Sequence, residues 1–176
     1  GGGSSDAATV LVALNAIWGL GLTNEELAKL GLGLGADVPV FIFGRSSWAE
    51  GIGEILYEEE PEERSLVVLF PGVRVATAKV FLAPELTRDS APIRMDTRLL
   101  SEGRNDCETI TRKLYPDVAE ALDWLSAYGE ARMSGTGSTI FAMFDQHSEA
   151  EKVLKEIPTK WSGVACRTLN RSPLAD

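Results

Sequence analysis

The chain is poor in the residue types on which most protein chemistry rests, with one histidine and two cysteines in 176 residues. A Ser/His/Asp hydrolase would have to be built on His147, which stands ahead of Ser148 and Glu151 in a pattern that predicts an exposed residue before a helix cap. Nucleophilic catalysis of that kind is therefore set aside. Cys107 and Cys166 fit no metal-ligand spacing and read as reduced thiols of a cytosolic protein. Cations are also outnumbered, 17 Lys and Arg against 26 Asp and Glu, for a formal net charge of -9. Such a surface repels phosphates at long range, which argues against nucleic acid and an anionic membrane as partners. No run approaches the roughly 18 apolar residues that span a bilayer. No charged-then-apolar leader opens the chain, so a cytoplasmic location is expected. An initiator methionine is missing as well, and the chain opens inside a glycine run, so an upstream segment is expected to be absent.

With 44% hydrophobic residues, the chain has enough apolar content for one large domain or two small ones. Its start, Gly1-Gly2-Gly3-Ser4-Ser5, has the composition of a flexible linker. The continuation through Val10, Leu14, Ile17 and Trp18, apolar at helical spacing, points instead to a helix whose N-terminus lies in the run. Ser4 or Ser5 is expected to cap it, and the glycines leave free amides open to an anion such as a nucleotide phosphate. An ordinary capped helix would look the same. No Gly-Lys-Ser/Thr follows, so the run is not a Walker A loop.

Thr23 and Glu26 form a predicted capping box opening a helix from Asn24 to about Leu30, stopped by Gly31, Gly33 and Gly35. Asp37 then sits two residues ahead of Pro39, which is expected to begin another helix in the apolar run to Phe43. Asp37 reads either as a cap or as a carboxylate held among apolar groups that can accept a substrate proton or orient its hydroxyl. A strand is expected at 47–49 and a turn at 51–53. Glu58 to Glu63 reads as a solvated boundary rather than a metal site, because adjacent exposed carboxylates repel one another.

Beyond that boundary a buried strand is expected at 66–70, a short helix at Thr77 to Phe81, and a capping box at Asn105 and Glu108. The box opens a helix with Ile110, Leu114, Val118, Leu122 and Leu125 in phase, split by Pro116. A strand into Met133, a second through Phe144, a helix from Ser148 and a strand at 164–169 complete an α/β sandwich. Gly135 and Gly137 read as a tight turn between strands or as a backbone loop facing phosphate. Phe81 alone reads as a core aromatic.

Taken in order, Gly1-Gly2-Gly3-Ser4-Ser5-Asp6-Ala7-Ala8, Gly35-Ala36-Asp37-Val38-Pro39-Val40-Phe41 and Ser134-Gly135-Thr136-Gly137 resemble the GHMP superfamily of small-molecule kinases. Asn105-Asp106-Cys107-Glu108 and Asn170-Arg171-Ser172-Pro173-Leu174 extend the likeness over nearly the whole chain. It is nearest to the members that phosphorylate the 2-hydroxyl of a cytidyl diphosphate sugar alcohol in the non-mevalonate isoprenoid pathway.

The resemblance implies an α+β two-layer sandwich. Residues 1–60 would be the remainder of an N-terminal ATP-handling domain and 61–176 the C-terminal domain. ATP and Mg²⁺ would be the cofactors, with Gly1, Gly2, Gly3, Ser4 and Ser5 in the phosphate loop, supported by Gly135 and Gly137. Asp37 would act on the acceptor hydroxyl, and Phe81, with Thr77 beside it, would stack on the cytosine ring.

The family's first strand, with its catalytic lysine, has no counterpart here. Lys29, Lys79, Lys113, Lys152, Lys155 and Lys160 stand in other contexts. This chain alone is therefore expected to turn over slowly or not at all, and a plastid location is open if a transit peptide preceded the absent part. Two other readings stay open: a different GHMP kinase, such as one for mevalonate derivatives or homoserine, needs no aromatic at position 81, and a noncatalytic nucleotide-binding module needs no carboxylate at 37.

Overall fold

In the computed structural model, which describes residues 1–90 and 103–173, the chain forms two compact units, residues 1–63 with 169–176 and residues 64–168. Leu174 lies outside the described residues.

The first unit opens with α1, Gly2–Ile17, followed by α2, Asn24–Leu32, and α3, Val38–Phe43. The predicted capping box at Thr23 is complete. Thr23 Oγ1 accepts from Glu26 N at 3.2 Å, and Thr23 N donates to Glu26 Oε2 at 2.8 Å. These bonds satisfy two amides that the first turn would otherwise leave bare. They also hold the Glu26 carboxyl below its ordinary pKa, the backbone amide of Thr23 contributing most. Pro39 is the second rather than the first residue of α3 and still falls where a missing amide hydrogen costs nothing.

The apolar face of α1 is not the expected one. Val10, Ile17 and Trp18 are exposed, Ile17 by 75%, while Ala8 is buried with Leu27, Val38 and Ile42. Ala7 and Leu11 pack against that cluster. Apolar residues occur on several sides of α1, so spacing alone selects no face, and the small side chains are the ones that let α3 approach closely. Gly31 serves the same purpose on α2, since a Cβ built there would lie 2.6 Å from Val38 Cγ1 and 2.9 Å from Ile42 Cδ1.

A two-stranded antiparallel ribbon, β1 (Ser47–Glu50) with β2 (Ile55–Glu58), completes this part. The expected turn at 51–53 is its hairpin loop, and β2 is an addition to the expected elements. Ion pairing of Arg45 with Glu58 closes the open end of the ribbon. The C-terminal segment returns here, Ser46 N donating to Asn170 O at 2.9 Å and Ser172 N to Gly44 O at 2.8 Å.

The second unit is built on an antiparallel sheet of order β4-β5-β3-β6, comprising β3 (Ser65–Phe70), β4 (Ala131–Met133), β5 (Ile140–Phe144) and β6 (Ser162–Arg167). Alternation in β3 turns Val67 and Leu69 to one face, where both are fully buried. On that face they join Val118, Leu122 and Leu125 of α6 (Pro116–Ser126) and Ala150 and Val153 of α7 (His147–Lys155) in one core. This is an α+β two-layer arrangement. β6 begins and ends two residues earlier than expected, its register set by pairing along the whole of β3, Phe70 opposite Ser162 and Ser65 opposite Arg167.

Among the described residues the unit also has two short helices, α4 (Thr77–Leu82) and α5 (Asp106–Leu114). Pro116 separates α5 from α6 as expected. The break resets the helical phase, and Leu114 is exposed while Ile110 is buried. His147 is the first residue of α7, and Gln146 rather than Ser148 holds the cap position. Cys107 and Cys166 are free thiols, and burial pushes the Cys107 pKa up.

Gly31→Ala should destabilise the protein by about 1–3 kcal/mol, because the added methyl overpacks the α2–α3 contact. Denaturant unfolding checks this; an unchanged midpoint would mean that α2 and α3 are free to separate.

Candidate active site

Each unit gathers its own set of the expected residues. In the first, the glycine run forms the opening turn of α1, with Gly1 at the cap position and no side-chain cap. Ser4 and Ser5 are therefore helical rather than capping, and Ser5 N donates to Gly1 O at 2.9 Å. The amides ahead of Ser5 have no partner within the helix, and a Cβ at Gly2 or Gly3 would meet nothing within 4 Å. An open, amide-rich helix start of this kind suits an oxyanion such as a phosphate.

The same turn lies against the start of α3. A Cβ at Gly1 would be 3.2 Å from the Phe41 ring, and one at Gly35 would be 3.9 Å from Ser4 Oγ. Asp37 follows Gly35 by two residues, a reach of at most about 7 Å. Its backbone occupies the cap position of α3, but its carboxylate makes no capping bond and is exposed rather than held among apolar groups. Both expectations from the local sequence are corrected on this point: the side chain is spent neither on the helix nor on burial, and it is available to solvent or a ligand.

The β1–β2 loop supports this turn from the other side. Gly53 has φ +116°, and a Cβ there would be 3.3 Å from Ala36 O, the carbonyl just before Asp37. Only glycine combines that conformation with so close an approach. Glu54 folds back within the loop, its Oε2 accepting from Ile52 N at 2.7 Å. Ser5 also lines a cleft of about 470 Å³ with Thr9, Phe41 and Arg45.

In the second unit, Gly135 and Gly137 lie in the loop between β4 and β5, with φ +55° and +87°. Gly137 is required for space as well as conformation, since a Cβ would meet Met133 Sδ at 2.8 Å. The loop closes on itself through Ser134 N to Thr139 O and Gly137 N to Ser134 O, both 2.9 Å. Thr77, at the start of α4, meets this loop, its Oγ1 3.1 Å from Thr136 Oγ1. Phe81 is 54% exposed one turn further on, so the core-aromatic reading is corrected.

Asn105 does cap α5, its Oδ1 accepting from Cys107 N at 3.0 Å, but it forms no reciprocal box with Glu108. Its amide instead reaches the glycine loop, Nδ2 donating to Met133 O at 2.9 Å and Gly135 O at 2.7 Å. Thr111 joins it there, Oγ1 donating to Thr136 O at 3.0 Å. Sequence reasoning missed Thr111 and Gly53. The available signals were a threonine one residue beyond Ile110 on the apolar side of α5 and a Gly-x-Gly at a hairpin tip. Among the described residues, no group of three or more His, Cys, Asp or Glu could hold a metal ion.

Comparison with known proteins gives the family of the chain. Residues 1–45 match the family model described as the GHMP kinases N terminal domain, and residues 91–163 match GHMP kinases C terminal, more than half of the chain between them. The chain belongs to the GHMP kinase family. Within it, the chain is 54% identical over 176 residues to 4-diphosphocytidyl-2-C-methyl-D-erythritol kinase of Nitrosococcus oceani, and 52% identical over 177 residues to the kinase of the same name from Halorhodospira halophila. A crystal structure of 4-(cytidine 5'-diphospho)-2C-methyl-D-erythritol kinase superposes with a TM-score of 0.77 at 33% identity, covering 95% of this chain and 65% of that one. The matches cover 100% and 99% of this chain but 63% and 62% of the two curated relatives, so it spans less than two thirds of their length.

At the start of α5, the Ser90 hydroxyl and then the Arg104 guanidinium hold the Asp106 carboxyl below the ordinary carboxylate pKa. A depressed folded value stabilises the fold above the unfolded pKa of roughly 4, and the contribution is lost as pH falls through the folded value. Asp106→Asn should accordingly unfold at lower temperature than the unsubstituted chain at pH 7, and the gap should close as pH falls below the unfolded carboxylate pKa of roughly 4 and through the depressed folded value. A gap that stays constant with pH would assign the effect to shape rather than charge.

Proposed function

We propose that this chain is the larger part of a 4-diphosphocytidyl-2-C-methyl-D-erythritol kinase, which transfers the terminal phosphoryl group of ATP to the 2-hydroxyl of its acceptor in non-mevalonate isoprenoid synthesis. The observation that carries the reading is the close approach of the Gly1–Ser5 turn to the Gly35–Asp37 turn, which sets an open phosphate-type helix start near an unspent carboxylate. The names borne by the relatives and by the solved structure support the choice of acceptor.

In this reading residues 1–60 are the remainder of the ATP-handling domain and 61–176 the C-terminal domain. The turn of Gly1, Gly2, Gly3, Ser4 and Ser5 holds the phosphates through the amides ahead of Ser5, and Asp37 accepts the proton of the acceptor hydroxyl. That oxygen bonds to the γ-phosphorus as the bond to the leaving ADP breaks. Little covalent chemistry is asked of the protein, so positioning and charge stabilisation dominate the rate. In the second unit Phe81 stacks on the cytosine ring, with Thr77 and the loop of Gly135 and Gly137 beside it. Magnesium would travel on the phosphates, as that cation ordinarily does, with no cage from the described residues. The protein would act in the cytoplasm on a small molecule, and neither nucleic acid nor a membrane is required.

Two substitutions in the full-length product of this gene test the proposal. Asp37→Asn should lower kcat for ATP-dependent phosphorylation of 4-diphosphocytidyl-2-C-methyl-D-erythritol by about 10²–10⁴-fold, the range of a general base. Activity indifferent to the change would remove Asp37 from the chemistry. Phe81→Ala should raise KM for the cytidyl acceptor by roughly tenfold or more, the worth of one stacked base. An unmoved KM would favour another GHMP kinase substrate.

A further inference from the structure

In the second unit the elements expected to meet a ligand do not hold themselves in place. α4, which carries Thr77 and Phe81, has six residues, too few for a helix to persist unaided. The loop with Gly135 and Gly137 is held by only two internal backbone bonds. Both are fastened to α5, a helix that carries none of the expected site residues.

Asn105, at the head of α5, spends its whole side chain, Oδ1 on the cap and both Nδ2 hydrogens on Met133 O and Gly135 O. Capping needs only the oxygen. Thr111, fully buried, directs its hydroxyl not to the preceding turn, as helical threonines commonly do, but to Thr136 O in the loop. Its Cγ2 lies 3.3 Å from where a Cβ on Gly137 would stand, so hydroxyl and methyl both bear on the loop. Tyr115, closing α5, accepts at its phenol oxygen from Ala76 N at 3.0 Å, at the cap of α4. Ile110 is buried against Val80 and Leu86. One helix thus holds the glycine loop with Asn105 and Thr111, and the start of α4 with Tyr115, while Thr77 and Thr136 join the two directly.

We infer that Asn105 and Thr111 are positioning residues, which fix the backbone of Gly135 and Thr136 against Thr77 so that the acceptor meets a preformed loop. This rests on the kinase reading above and adds to it two residues that touch no substrate. Preformed geometry matters because a displacement of about 1 Å can cost roughly a hundredfold in rate.

Capping and positioning can be separated. Asn105→Asp keeps a good cap acceptor, favoured by the helix dipole, but turns carboxylate oxygens on the carbonyls of Met133 and Gly135. Thr111→Val keeps the shape and removes the donor. Amide hydrogen exchange on this chain should show Ser134 and Gly137 exchanging about tenfold faster in each variant, the effect of one lost hydrogen bond. The α5 amides should be unchanged, and Thr111→Ser should restore the loop's protection. Unaltered exchange at Ser134 and Gly137 in Asn105→Asp, or a loss spread evenly over α5, would overturn the inference.

In the full-length protein both variants should lower kcat for the cytidyl acceptor by about ten- to a hundredfold under conditions where each remains fully folded. A loosened loop with unaltered kcat would also overturn it. If the unsubstituted full-length protein fails to phosphorylate that acceptor, the substrate reading falls, and the exchange result still decides whether the two residues fix the loop.

Discussion

The second unit depends on β3 being paired along both edges. With β5 on one side and β6 on the other, it has no free backbone edge, and its alternate residues enter the core beneath α6 and α7. A strand held in this way cannot slip, because a shift of one residue would turn Val67 and Leu69 out of that core. Its register fixes β5, β5 fixes β4, and the loop between them inherits its place. The glycine loop is thus anchored at both ends by the most deeply buried part of the unit. Its own residues can then take the positive-φ conformations of Gly135 and Gly137 without disturbing the strand register.

The first unit works by closeness rather than by bulk. Ala7, Ala8, Gly31 and Gly35 bring the three helices together at the expense of side-chain volume, and the start of α1 thereby comes against the turn that carries Asp37. Glycine plays three parts here. At Gly31 it makes room for Val38 and Ile42, at Gly53 it combines a left-handed backbone with an approach to Ala36 O, and at Gly2 and Gly3 it leaves amides uncovered. The last of these leaves the helix start open, and the first two hold the carboxylate's turn where it is.

Much of this was legible from residue order. Turn and cap chemistry is local, so Thr23 with Glu26, the break at Pro116 and the 51–53 turn could be read directly. The openness of the glycine run could be read because the lack of a Cβ is a local property. Facing was not legible for α1, where Val10, Ile17 and Trp18 keep helical spacing yet stay exposed while Ala8 is buried. Periodicity weighs side chains by hydrophobicity, whereas packing here weighed them by size. The second use of Asn105 was hidden for a related reason. A cap is a contact within three residues, but the bond to Gly135 O spans thirty, and nothing in the neighbourhood of Asn105 announces it.

The path of the chain between the units has a consequence for its biosynthesis. Residues 169–173 belong with the first unit, where Arg171 bridges to Arg45 and Asn170 and Ser172 bond to Ser46 and Gly44. A ribosome delivers them only after it has made the whole of the second unit. The first unit, begun earlier, must therefore wait in an unfinished state, its glycine-lined helix start already synthesised and its closing segment not yet available. Vectorial translation would thus complete the second unit before the first, which closes only once residues 169–173 have emerged.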